Sequence, residues 1–136
     1  MKGSHPYVRA YLAGIAAPTL FLLVGITGLA VARGAFDQPP AVERVIVFPM
    51  AVVPNLWGAW NMLYCRLQSG RWLPIGVHGA ILPLLLLPAG YALAGVLEVH
   101  WIPPGMAALG LPVVMAVYYL AWKYIVSFLN ELLGVA

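Results

Sequence analysis

Few side chains in the apolar stretches of this sequence can do chemistry, and those that can concentrate between Pro49 and His78. Within residues 45–64, Pro54 cannot donate to the carbonyl of Met50 and its ring crowds that turn. The helix expected there should kink or open near the bilayer centre. Asn55 sits beside the freed carbonyl. An amide next to loosened backbone can hold a polar ligand group; the competing reading is an amide bonded to a neighbouring helix, which is how most intramembrane amides are satisfied. Trp57, Asn61 and Tyr64 follow at i, i+4 and i+7 and share one helix face. That face suits either a ligand head or an anchor at the cytoplasmic headgroups.

His78 lies between Gly76 and Gly79, where small residues allow close helix approach. A histidine there can ligate haem or carry a proton. A bis-histidine haem needs a second ligand at similar depth, however, and His100 falls at the opposite end of its span. The expected role of His78 is therefore a hydrogen bond to a helix backbone or a headgroup. Pro54, Asn55, Trp57, Asn61, Tyr64 and His78 form the candidate ligand-binding set, with no cofactor expected.

Other chemistry is thinly supplied. Glu98 and His100, with Asp37 or Glu43, could form a metal site, but two ligands two residues apart in a loop are better read as solvated residues, and no metal is expected. Cys65 stands alone, which excludes an intramolecular disulfide and a thiolate-rich metal centre built by this chain. It could be acylated near a membrane or serve as a small apolar residue. No nucleophile, acid–base pair or metal cluster converges, so no catalytic residue is expected. Asp37, Glu43, Glu98 and Glu131 all lie at or beyond the span ends, which argues against proton or cation coupling.

The elements that must position these residues follow from composition. The 136 residues are 63% hydrophobic and 8% charged, with a mean hydropathy of +0.93, whereas soluble domains carry about 25% charged residues. Apolar runs occupy residues 11–32, 45–64, 75–97 and 105–127, each long enough to cross about 30 Å of hydrocarbon as a helix. The fold expected is all-α: a single polytopic membrane domain, a bundle of four transmembrane helices. Pro74 and Pro104 are placed to open the third and fourth helices. Residues 11–32 also imitate a signal peptide, but the apolar stretch exceeds the usual 7–15 residues and is read as the first span. Gly3-Ser4-His5 resembles an expression scar.

Placing the N-terminus inside puts Lys2, Arg9, Arg66, Arg71 and Lys123 on the cytoplasmic side, against Arg33 and Arg44 outside; the positive-inside rule selects this orientation for both termini. Tyr7, Tyr11, Trp60, Tyr64, Trp72, Trp122 and Tyr124 then fall near the cytoplasmic interface as anchors, and Trp101 near the outer one. The net charge of +3 is carried by scattered residues without a basic stripe, so no nucleic-acid partner is expected. Pro18 and Gly25 match the spacing of Pro83 and Gly90, and Ala59-Trp60-Asn61 resembles Ala121-Trp122-Lys123, which hints at two repeated helical hairpins. Pro54 and Pro88 lie at similar depth, where two weakened helices could open a midplane cavity.

The expected function is a non-catalytic scaffold or accessory subunit of a membrane assembly. Its partners would be the bilayer and either a second copy or a larger complex, met through small-residue faces such as residues 25–28 and 90–95. The alternative is a binding protein or facilitator for an apolar molecule such as a lipid or quinone.

Overall fold

A computed structural model of the chain describes residues 4–36, 52–67, 73–96 and 103–135. Among these the architecture is all-helical. Helix α1 spans Pro6–Phe36, α2 Val53–Leu67, α3 Ile75–Val96 and α4 Pro104–Leu120; a π-helical turn at Ala121–Val126 leads into α5, Ser127–Leu132. Three continuous helical stretches are long and apolar enough to cross a membrane: Pro6–Ala35, Ile75–Val96 and Pro104–Leu132. The 15 described residues of α2 reach only about 22 Å. The expected kink above Pro54 and the residues Asp37, Glu43, Glu98, His100, Trp72 and Trp101 lie outside the described residues.

Proline opens elements where its missing N–H costs nothing. Pro104 is the first residue of α4, and Pro74 immediately precedes α3, where its carbonyl accepts from the His78 backbone N–H. The interior prolines Pro18, Pro83, Pro88 and Pro112 leave their helices continuous.

Packing is organised by small residues. Helix α1 buries Ala10, Ala13, Gly14 and Ala17, one stripe at helical spacing, against α2. A Cβ at Gly14 would stand 2.5 Å from the Trp57 carbonyl oxygen, and one at Gly58 2.6 Å from the Tyr11 ring. The α3 contact with the fourth helical stretch is built likewise, with Gly76 against Tyr119 and Gly79 beneath the Trp122 ring. Helices α1 and α2 form one close pair, α3 and α4 the other, and α2 touches α3 more sparsely.

Tyr118, Trp122, Val126 and Asn130 recur at every fourth residue, and the last three are fully buried. In a straight α-helix that repeat drifts by about 40° per step. The π turn, in which the Ser127 N–H reaches the Trp122 carbonyl five residues back, widens one turn and offsets the drift. Helix α5 then ends on a Schellman motif. Gly134 takes φ +65°, its N–H bonds the Glu131 carbonyl at 3.0 Å, and the Val135 N–H bonds the Asn130 carbonyl at 2.9 Å. This turn folds Val135 back onto Ala10 and Cys65.

Candidate functional site

The residues singled out on α2 do not form one site. Pro54 is buried in the first turn of α2. Asn55 is exposed, and its Oδ1 accepts a hydrogen bond from the Tyr11 hydroxyl of α1. Trp57 is buried, with ring centroids 4.9 Å from Tyr118 in an edge-on contact and 5.4 Å from Trp122. Of the shared face, Trp57 and Asn61 turn into the protein while Tyr64 is half-buried; Gly14 and Gly58 bring α1 and α2 into close contact beside it. Trp122, expected at the headgroups, is also wholly buried, because Gly79 opens a place for its ring.

Asn61 is wholly buried and anchors a three-way junction. Its Nδ2 donates to the Ala10 carbonyl and to Asn130 Oδ1, both at 2.7 Å, and Asn130 Nδ2 returns a bond to Asn61 Oδ1 at 3.0 Å. The two amides thus satisfy each other across α2 and α5 and bind α1 as well. Unpaired in hydrocarbon, such groups would cost several kcal/mol, about what an unsatisfied polar group costs there.

His78 and Trp60 form a second reciprocal contact, between α3 and α2. Trp60 Nε1 donates to the His78 carbonyl at 2.8 Å, and His78 Nε2 lies 3.1 Å from the Trp60 carbonyl. A carbonyl only accepts, so Nε2 carries the proton. The rings stack with centroids 4.7 Å apart, and Tyr64 tilts onto the imidazole at 5.2 Å. Because α2 and α3 are otherwise sparsely packed, this pair fastens the two helix pairs together. His78 is engaged with backbone and rings, an arrangement suited to holding helices rather than to ligating an iron.

Cys65 is buried against Ala10 and Val135, and burial pushes its thiol pKa up. Both effects lower its reactivity toward acylation. Lys123 is exposed, with its ammonium over the Tyr119 and Tyr124 rings at 5.7 and 5.3 Å. Among the described residues, no three His, Cys, Asp or Glu side chains group as a metal site.

A concave feature among the described residues lies away from these side chains. A groove of about 320 Å³ opens between α3 and α4, lined by Pro83, Leu86, Ala107, Gly110 and Tyr118 among others, with Val53 at its edge. Of the prolines expected to open a midplane cavity, Pro54 is buried and Pro88 is exposed, while Pro83 lines the groove; the turn before Pro54 lies outside the described residues. Tyr118 and Asn130 were missed in the sequence, although their spacing with Trp122 and Val126 was a usable signal. The groove had no such signal, because it depends on which helices pair.

No protein-family model, curated protein or solved structure matches this chain.

Proposed function

We propose that this chain is a multi-pass membrane protein of four transmembrane helices that binds an apolar molecule in the groove between α3 and α4. The observation that carries this reading is the groove itself, which is apolar, about 320 Å³ in volume and flanked by exposed hydrophobic side chains such as Met106 and Val114. The apolar run 45–64 overlaps α2 and supplies the fourth crossing, with both termini cytoplasmic under the positive-inside rule. Arg9 and Arg66 lie next to Ala10 and Cys65, at the end of the molecule where α1 begins and α2 ends, in keeping with that orientation.

Gly110 provides the test. A Cβ there meets nothing within 4 Å, so Gly110→Phe should fill the groove without disturbing the helices. Native mass spectrometry from gentle detergent should show an apolar molecule retained by the parent chain and lost by Gly110→Phe, at equal thermal stability. Equal retention by both would overturn the groove as the binding site. Single cysteines at positions 38 and 69 should label from opposite sides of intact cells; labelling from one side would end the four-span arrangement.

A second reading, assembly with another copy or a larger complex, is favoured by Gly25 and Gly28, both exposed on α1 with nothing within 4 Å of an added Cβ. A stoichiometric partner retained together with an empty groove would support it over the first.

A further inference from the structure

The two helix pairs share one register. Gly14 and Pro18 of α1 recur 65 residues on as Gly79 and Pro83 of α3, and Trp57 of α2 recurs at the same interval as Trp122 of the last helix. Met50-Ala51-Val52 likewise recurs as Met115-Ala116-Val117. This interval replaces the expected match of Trp60 with Trp122. Trp57 and Trp122 are both buried, whereas Trp60 is half-buried and aligns with Ile125.

Burial follows the same interval. Ala13, Gly14, Ala17 and Pro18 are buried on α1, and His78, Gly79, Leu82 and Pro83 on α3. Trp57, Asn61 and Cys65 are buried on α2, and Trp122, Val126 and Asn130 on the last helix. Helix α2 ends at Leu67 and α5 at Leu132. Any two amphipathic helices can be slid into phase, so a match along one helix alone would carry little. Sliding does not produce one interval that serves both helices and also the contact between them. A Cβ at Gly14 would strike the Trp57 carbonyl oxygen, and one at Gly79 the Trp122 ring.

The pairs also meet as a two-fold axis requires. In such an interface residue i touches j while j touches i, and a residue meets its own equivalent only beside the axis. Trp57 and Trp122 do meet, with ring centroids 5.4 Å apart. Around them the core holds Ala17 with Leu82, Val53 with Tyr118, Leu56 with Ala121, and Trp60 with Ile125, each pair at the same interval. Helix α3 touches α2, and the equivalent contact, α1 with the last helix, is present too. The polar contacts stand outside this symmetry: Asn61 aligns with Val126, Asn130 with Cys65 and His78 with Ala13. We infer that residues 6–67 and 71–132 are two copies of one helical hairpin, joined as an internal dimer about a two-fold axis between Trp57 and Trp122. The face around these rings is self-complementary, and the partner it fits is a second copy of the same hairpin.

Exchange of equivalent residues in the full chain tests this. Ala17→Leu overfills the core and Leu82→Ala opens a cavity, so each alone should lower the thermal unfolding midpoint in one detergent by about 5 °C or more. Made together they rebuild the same core turned about its axis, and most of the loss should return. Ala17→Leu with Leu86→Ala changes the same atoms, but Leu86 aligns with Phe21 rather than Ala17, and nothing should return. Recovery by both double variants, or by neither, would overturn the assignment. Spin labels supply a second measurement that leaves Ala17 and Leu82 in place. In a Cys65→Ala background, Leu20→Cys with Phe128→Cys and Leu85→Cys with Leu63→Cys put labels on exposed positions related by the axis. Their distance distributions, measured by double electron–electron resonance in nanodiscs, should coincide. Maxima further apart than either distribution is wide would overturn the two-fold relation.

Discussion

At the end where Val135 packs on Ala10, α1 buries Ala10, Ala13, Gly14 and Ala17, two amides pair reciprocally, and an indole and an imidazole exchange bonds with each other's backbone. Past Pro18 the same helix buries none of its described side chains, and α4 buries none along its whole length. One half is closed by glycine contacts, amides and stacked rings; the other offers Leu20, Phe21, Val24, Leu109 and Val113 outward. In a bilayer, lipid tails would be as apolar as these side chains, so that burying them against protein would bring little, and close packing and polar pairing would supply helix association. The locks therefore sit in one half, and the groove sits in the looser region beyond them.

The largest effect should come from glycine. An added Cβ at Gly79 would stand 2.1 Å from Trp122 Cγ, whereas one at Gly28 meets nothing. Gly79→Ala should cost about 3 kcal/mol, at the upper end for overpacking, or abolish the folded state. Gly28→Ala should be neutral or stabilise by up to about 1 kcal/mol through helix propensity. Thermal unfolding of both proteins in one detergent decides this, and similar losses would dissolve the contrast between the two halves.

A smaller effect tests the amide junction. Asn61→Leu strands the Asn130 amide and should cost about 1–2 kcal/mol. Adding Asn130→Leu should cost less than the sum of the single changes, since no amide is then left unpaired. Strict additivity would remove the reciprocal pair as a lock. The smallest effect belongs to the contact between Tyr11 and Asn55, which is exposed. Tyr11→Phe should lower stability by about 0.5 kcal/mol, typical of one interhelical bond in a membrane. A loss matching that of Asn61→Leu would show that α1 is fastened as firmly at this exposed contact as at the buried junction.

Much of the helical framework was legible because it depends on local chemistry. Long apolar runs, Pro74 and Pro104 at helix starts, and Gly76 and Gly79 as a close-approach site all act within a few residues of themselves. The candidate site was read less well. Asn55 and Asn61 look alike in sequence, both amides in one apolar run, yet one is exposed and the other wholly buried. What separates them is the partner helix: Asn61 meets a second amide 69 residues away, a distance no local pattern spans. Ending the last span at Ser127 hid Asn130, because the helix runs on to Leu132.

The widened turn at Ala121–Val126 also bears on how this chain can change length. Each residue of an α-helix rotates the next by about 100°, so a deletion within α1 or α3 would swing everything beyond it onto a wrong face. The π turn already holds one residue more than an α-helical turn needs. Loss of one exposed residue there, Lys123 or Tyr124, would tighten it to ordinary geometry while Tyr118 and Asn130 kept close to their present directions. The fourth helix thus carries a place where a single codon can be lost with little cost to the register of the rest.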